Sequence, residues 1–167
     1  MASAADIWSL AMKNRQIHRF SALFTAQNVR DHLARDDGFD AAVRWCRETA
    51  VTKVYLETFR SEYAPRETIE QARERFRKAG FEVSGCVTTI DVGKRSTGWS
   101  VISCWSDPSA QESVQEIFTF TAKLFDEIMI DDFWLADCTC PDCDAARKVR
   151  VVAIGGNTYP VASESWD

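Results

Sequence analysis

Four apolar runs suited to buried strands alternate with segments of helical periodicity, and this alternation limits the possible folds more than anything else in the chain. The runs are Phe20–Ala26 (FSALFTA), Thr52–Thr58 (TKVYLET), Phe81–Thr89 (FEVSGCVTT) and Glu127–Asp132 (EIMIDD). The first is apolar on both faces, as a parallel strand covered on both sides must be. Between the first two runs, Phe39, Ala42, Val43, Cys46 and Ala50 fall at helical spacing. They predict a helix over Phe39–Thr49 after a turn at Asp36, Asp37 and Gly38. Pro65–Ala79 is a second helix, with Pro65 at its first position, Ile69, Ala72 and Phe76 as its buried stripe and Gly80 as its stop. Asp107 caps a third, with Pro108 at its first position and Val114, Ile117, Phe118, Thr121 and Leu124 or Phe125 on its apolar face. The order β-α-β-α-β-α-β implies parallel strands joined by right-handed crossovers.

At 167 residues the chain has room for one domain with a sizeable core. A net charge of −5 argues against a nucleic-acid partner, which usually meets a basic patch. No apolar run approaches the ~20 residues of a membrane span, so no membrane association is expected. Residues 1–17 form a separate N-terminal segment in which Ile7, Leu10 and Ala11 suit a short amphipathic turn capping the domain. They lack the basic region, apolar core and cleavage site of a signal peptide, which predicts a cytoplasmic chain. The six cysteines are then expected as reduced thiols or metal ligands and not as disulfides. No glycine-rich phosphate loop follows a strand, and Gly155-Gly156 comes late with no helix after it, which disfavours dinucleotide binding.

The chemistry concentrates in Phe125–Cys143, FDEIMIDDFWLADCTCPDC, where Ile128, Met129 and Ile130 run into Asp131 and Asp132. A buried strand ending in carboxylates is how an α/β barrel presents a reactive group. Because strand side chains alternate, only one of the two aspartates can face the barrel mouth. Glu57 ends the second strand; the competing role for it is an ion pair with Arg60 or Lys94. Gln27 and Asn28 follow the first strand as polar groups placed to meet a ligand. The segment Asp91–Trp105 is longer than a routine connection and carries Lys94, Arg95, Gly98, Trp99 and Trp105. Its aromatics, with Phe133 and Trp134, either offer flat faces to a ligand or pack the loops together. Cys138, Cys140 and Cys143 form C-x-C-P-x-C, a soft-ligand cluster that would take zinc as an optional metal, with Asp137, Asp142 or a remote residue such as His18 as fourth ligand. Cys46, Cys86 and Cys104 are expected as small buried hydrophobes. Neither His18 nor His32 lies near a thiol in sequence, so a cysteine nucleophile is disfavoured.

Several motifs occur together and in order: AQNVRDHL after the first strand, VYLETFR, FEVSGCVT followed by GKRSTGW, and FDEIMIDDFW followed by C-x-C-P-x-C. Over roughly Arg19–Arg147 they resemble an uncharacterised bacterial and fungal family of glycoside hydrolases with a TIM-barrel catalytic domain. The resemblance implies a carbohydrate substrate and a catalytic carboxylate at the end of the fourth strand, which maps onto Asp131 with Asp132 beside it. Gln27, Asn28, Glu57, Arg60, Lys94 and Arg95 would bind sugar hydroxyls, and Trp99 or Trp134 would stack on a sugar face. A related cysteine pattern in other sugar-cleaving barrels looks like a loop-pinning or metal-binding element, and no cofactor is required. Since a (β/α)₈ barrel takes ~250 residues, the expectation is its N-terminal half over 18–147. The tail, 148–167, diverges and reads as a truncated, mis-spliced or frameshifted continuation. Related retaining enzymes draw their second carboxylate from a later strand. The alternative from another class is an inactive half-barrel that binds carbohydrate or forms homo-oligomers through its open sheet edge.

Overall fold

The computed structural model describes residues 4–147, 151–154 and 157–160. Helix α1 (Ala4–Lys13) precedes strand β1 (Phe20–Phe24). A short helix, α2 (Ala26–Asn28), runs into a π-helical turn at Val29–Leu33, followed by α3 (Asp36–Glu48) and β2 (Val51–Arg60). Next come the two-residue strand β3 (Glu62–Tyr63), α4 (Arg66–Lys78), β4 (Glu82–Thr88), α5 (Pro108–Ala122) and β5 (Ile128–Ile130). Helix α6 (Pro141–Arg147) and the antiparallel pair β6 (Val151–Ile154) and β7 (Asn157–Pro160) complete the described chain.

Strands β1, β2, β4 and β5 form a parallel sheet in that order, and β3 folds back antiparallel on the end of β2. The α/β class, with four parallel strands alternating with helices, is as the sequence predicts. Spatial order follows chain order, so each crossover advances by one strand. Among the described residues neither β1 nor β5 has a further neighbour on its outer side. No described helix is long and apolar enough to cross a membrane.

The core forms because the stripes of α3 and α4 land on the sheet. Phe76 is fully buried, and its ring lies 5.4 Å from Phe24, 4.6 Å from Phe39 and 5.8 Å from Phe81. Ile69 and Ala72 complete the α4 stripe in the same cluster as Val54 and Leu56 of β2. A smaller cluster of Phe59, Val87, Val92 and Ile117 seats α5. Gly85 of β4 lets this side close up, since a Cβ there would sit 2.7 Å from the Phe125 ring.

The predicted boundaries shift where local capping wins. Strand β1 stops at Phe24 because the Thr25 side chain accepts from the Asn28 N–H at 3.2 Å, turning Ala26 onward into helix. Asp36, Asp37 and Gly38 are the first turn of α3 and not a separate turn, with both carboxylates at the favourable end of the helix dipole. Pro65 is the N-cap of α4 instead of its first residue. Gly80 does end that helix, at φ 92°, with the Phe81 N–H returning to the Phe76 carbonyl at 3.1 Å. Of the predicted strand Val149–Ile154, residues Val151–Ile154 are β6. Lys148, Val149, the Gly155-Gly156 turn and residues 161–167 lie outside the described residues.

Candidate active site at the strand ends

A single extra residue in β2 builds the site. Glu57 pairs with Cys86 of β4 and Phe59 with the next residue, Val87, so Thr58 is a bulge. In a regular strand, side chains three apart point to opposite faces. The bulge reverses the phase beyond it and brings Arg60 onto the face of Glu57. Arg60 Nε then donates to the Glu57 carboxylate at 2.9 and 3.1 Å. Arg60 is in register with Thr88, and the β4–β5 pairing that sets Val87 opposite Ile130 continues to put Asp131 beside Thr88. Asp131 Oδ2 accepts from Arg60 Nη2 at 2.5 Å and from the Thr88 hydroxyl at 3.0 Å. Three adjacent strands thus contribute Arg60, Thr88 and Asp131 to one row at the C-terminal end of the sheet.

The two carboxylates on this row differ in access. Glu57 is fully buried and accepts from the Ala26 N–H at 2.8 Å, from Arg60 and from the Thr88 hydroxyl. Thr88 has one proton for two carboxylates, so at any instant it serves either Glu57 or Asp131. Asp131 keeps 24% of its side chain exposed. Burial pushes its carboxyl upward, but the Asp132 N–H, the Thr88 hydroxyl and the Arg60 guanidinium outweigh this and hold it below the usual carboxylate range. Arg60 shows the reverse balance: burial disfavours its charge, while Glu57 and Asp131 raise its pKa overall. Cys86 is pushed up to about 12, first by burial and then by the same two carboxylates, so it stays a thiol. The arrangement offers one ionised, accessible carboxylate backed by a buried ion pair.

The other sequence candidates spread around this row. Asp132 is exposed and gives its N–H to Asp131 Oδ1 at 3.0 Å. Gln27 Nε2 donates to the Arg60 carbonyl at 3.0 Å and to Glu62 at 3.1 Å, bracing the backbone that carries Arg60. Asn28 spends its side-chain oxygen on the Thr25 N–H, as part of the α2 cap. Lys94 and Arg95 are exposed on the β4–α5 connection, where Arg95 pairs with Asp91 at 3.0 Å. The Trp99 and Phe133 rings lie 5.6 Å apart, and the Arg60 guanidinium sits 5.8 Å over Phe133. Trp134 stacks on Trp105 at 4.8 Å. Trp99 and Trp134 stay half exposed, so flat apolar faces remain beside the row.

Cys138, Cys140 and Cys143 do converge, and their fourth partner is Cys104, not Asp137, Asp142 or His18. All four sulfurs lie within 4.8 Å of one another, with Cys104 at 3.6 Å from Cys140 and 3.4 Å from Cys143. A tetrahedral site with ~2.3 Å metal–sulfur bonds has sulfurs ~3.8 Å apart, so this buried cluster could hold a metal. Backbone N–H groups of Thr97 and Cys140 lower the Cys138 thiol to about 5, and the Ser106 hydroxyl lowers Cys143, while burial pushes Cys104 up to about 12. Asp137 is committed elsewhere: it accepts from Ser96 Oγ at 2.6 Å and from the Trp99 N–H at 2.5 Å. Sequence periodicity missed Cys104 because SVISCW reads as an ordinary apolar run.

The chain belongs to the family described as "Probable glycosyl hydrolase, catalytic domain", whose model matches residues 5–167. It is also similar to an uncharacterised protein of Saccharolobus solfataricus, 33% identical over an alignment of 100 residues that covers 55% of this chain. The matched stretch is 16% of that relative, so the chain spans a small part of its length. No solved structure matches.

Proposed function

We propose that the chain supplies the first four strands of a barrel that hydrolyses a glycosidic bond, with Asp131 as the nucleophile or the acid/base. The observation that carries this assignment is an ionised, partly exposed Asp131 held on one row with Arg60 and Thr88 at the C-terminal ends of the strands. In a barrel that face is where the reacting groups stand. A carboxylate kept charged there can attack an anomeric carbon or stabilise the positive charge that develops on the sugar ring. Arg60 serves Asp131 by keeping it deprotonated. Glu57 acts on Arg60 and not on substrate, since it is shut away from solvent. The second carboxylate of the reaction comes from a strand beyond these four. Trp99, Phe133 and Trp134 stack on the carbohydrate, and Gln27, Lys94 and Arg95 line its approach.

Zinc is the metal we assign to Cys104, Cys138, Cys140 and Cys143. Four thiolates leave no open position, so it would hold structure and take no part in turnover. A reducing cytoplasm suits such a site. Self-association is a second reading, favoured by the outer edges of β1 and β5, which have no partner among the described residues.

The test of the assignment is Asp131→Asn in a full-length homologue, assayed on aryl glycosides with far-UV circular dichroism as the folding control. Turnover should fall by at least ~10²-fold, the low end for a positioned acid–base group. Unchanged turnover of a good substrate overturns it.

A further inference from the structure

The stacking surface beside Asp131 is made by two segments that no regular structure joins. Trp99 sits at the tip of the β4–α5 connection, which closes on itself through the Arg95–Ser103 bridge and through backbone N–H groups of Ser96, Cys104 and Asp91 donating to the carbonyls of Ile102, Lys94 and Val101. Phe133 belongs to the stretch after β5. Buried Val92 and Ile102 anchor the base of the first segment, but Thr97, Gly98, Trp99 and Ser100 at its tip are exposed. What brings the tip to Phe133 is a seam centred on the cysteines.

The seam runs from the metal cluster to the rings in short steps. Cys104, at the end of the first segment, meets Cys140 and Cys143 of the second. Thr97 Oγ1 accepts from the Thr139 N–H at 2.8 Å and lies 3.7 Å from Cys138 Sγ. Asp137, next to Cys138, receives the Ser96 hydroxyl and the Trp99 N–H. Gly98 permits that close approach, since a Cβ there would lie 2.5 Å from Asp137 Oδ2. The Trp105 indole N–H donates to the Leu135 carbonyl. Apart from the thiols, most members of this seam are surface hydrogen bonds that water can replace, and the charge-assisted bond from the Ser96 hydroxyl to Asp137 is the partly buried exception. A tetrathiolate metal is the one element of it that solvent does not readily exchange.

We infer that the four-cysteine cluster is a metal clasp that holds Trp99 against Phe133 over Arg60, so the metal state of the cluster decides whether the stacking surface exists. The clasp rests on the zinc assignment, and its link to carbohydrate on the proposed hydrolase function. Loss of the metal frees the tip 94–100 and separates the rings, while the sheet and α3–α5, whose cores contain none of these cysteines, stay folded.

The 167-residue chain tests this directly. Loaded with zinc it should carry about one equivalent by elemental analysis, as one tetrathiolate site requires. Native trypsin digestion should then cleave after Lys94 or Arg95 at least ~10-fold faster in chelator-stripped protein than in loaded protein, as expected for local opening. Cleavage within Arg66–Lys78 and the far-UV spectrum should not change. Cys104→Ser, which leaves three thiols, should reproduce the fast cleavage without stripping. Failure to take up zinc, equal cleavage rates, or collapse of the helical signal in both the stripped and Cys104→Ser proteins each overturns the clasp. Tryptophan emission titrated with soluble xylo- and cello-oligosaccharides separates the two levels. A response in the loaded form only supports the coupling, and a response in both forms overturns it. Silence in both forms counts against the carbohydrate assignment, while the trypsin rates still decide the clasp.

Discussion

Arg60 holds a fully buried carboxylate, and replacing it should be the most damaging single charge removal at the site. In Arg60→Met the aliphatic stem remains, while Glu57 loses both hydrogen bonds from Nε and the only positive charge it touches among the described residues. Breaking a buried pair by removing one partner costs about 3–5 kcal/mol, because the remaining charge has nowhere to be solvated. Glu57 keeps the Ala26 N–H and the Thr88 hydroxyl, which puts the expectation at the low end, about 3 kcal/mol. For a chain of this size, at ~2–4 °C per kcal/mol, the melting temperature should drop by ~6–12 °C. The informative comparison is the double variant Glu57→Gln/Arg60→Met, in which no buried charge is left. It should recover ~1–2 kcal/mol relative to Arg60→Met alone, a coupling normal for contacting residues. Calorimetry or urea unfolding of the four proteins measures the cycle. If Arg60→Met melts within ~2 °C of the parent, or the double variant is no more stable than the single, Arg60 is not what makes the buried Glu57 tolerable, and the bulge has no electrostatic purpose.

Two further outcomes follow from the same geometry. Phe76→Ala removes a ring enclosed by Phe24, Phe39 and Phe81, and should cost about 3–5 kcal/mol in urea unfolding; a loss under ~1 kcal/mol would mean that the site collapses freely. Asp131 is held below its ordinary value of 3.8 in the folded chain, so it contributes stability that is complete above that pH and is lost as pH falls through the lower, folded value. The stability difference between the parent and Asp131→Asn should therefore be flat from pH 7 down to ~4 and shrink below it; a difference that grows on acidification contradicts the Arg60 pairing.

Strand identity was legible from strand-like runs alternating with helical stripes, and all four runs were found, although β2 and β4 are largely buried while β1 and β5 keep exposed residues such as Phe20 and Ile130. The helices were legible from their stripes, with Phe76 and Ile117 at the centre of theirs. The phase of the site was not. Glu57 and Arg60 are both visible in VYLETFR, but which way each points depends on Thr58 having no partner in β4. That is a property of the pairing between two strands and not of either sequence. The π-helical turn and the α2 cap escaped notice because AQN after FSALFT fits a polar strand end equally well. Cys104 lies 36 residues before Cys140 and looks like any buried thiol until the two loops close on each other. Carboxylates and cysteines announce their chemistry in sequence; their partners are chosen by folding.

The Thr58 bulge also bears on how relatives should be compared. Substitution matrices reward identical residues and treat a one-residue gap as a nuisance, yet here the inserted position is what gives Arg60 its direction. A relative could retain the glutamate, the arginine and the aspartate, lack one residue in the second strand, and have its guanidinium pointing the other way. Among relatives with this fold, the length of that strand says more about where the guanidinium points than the letters it contains.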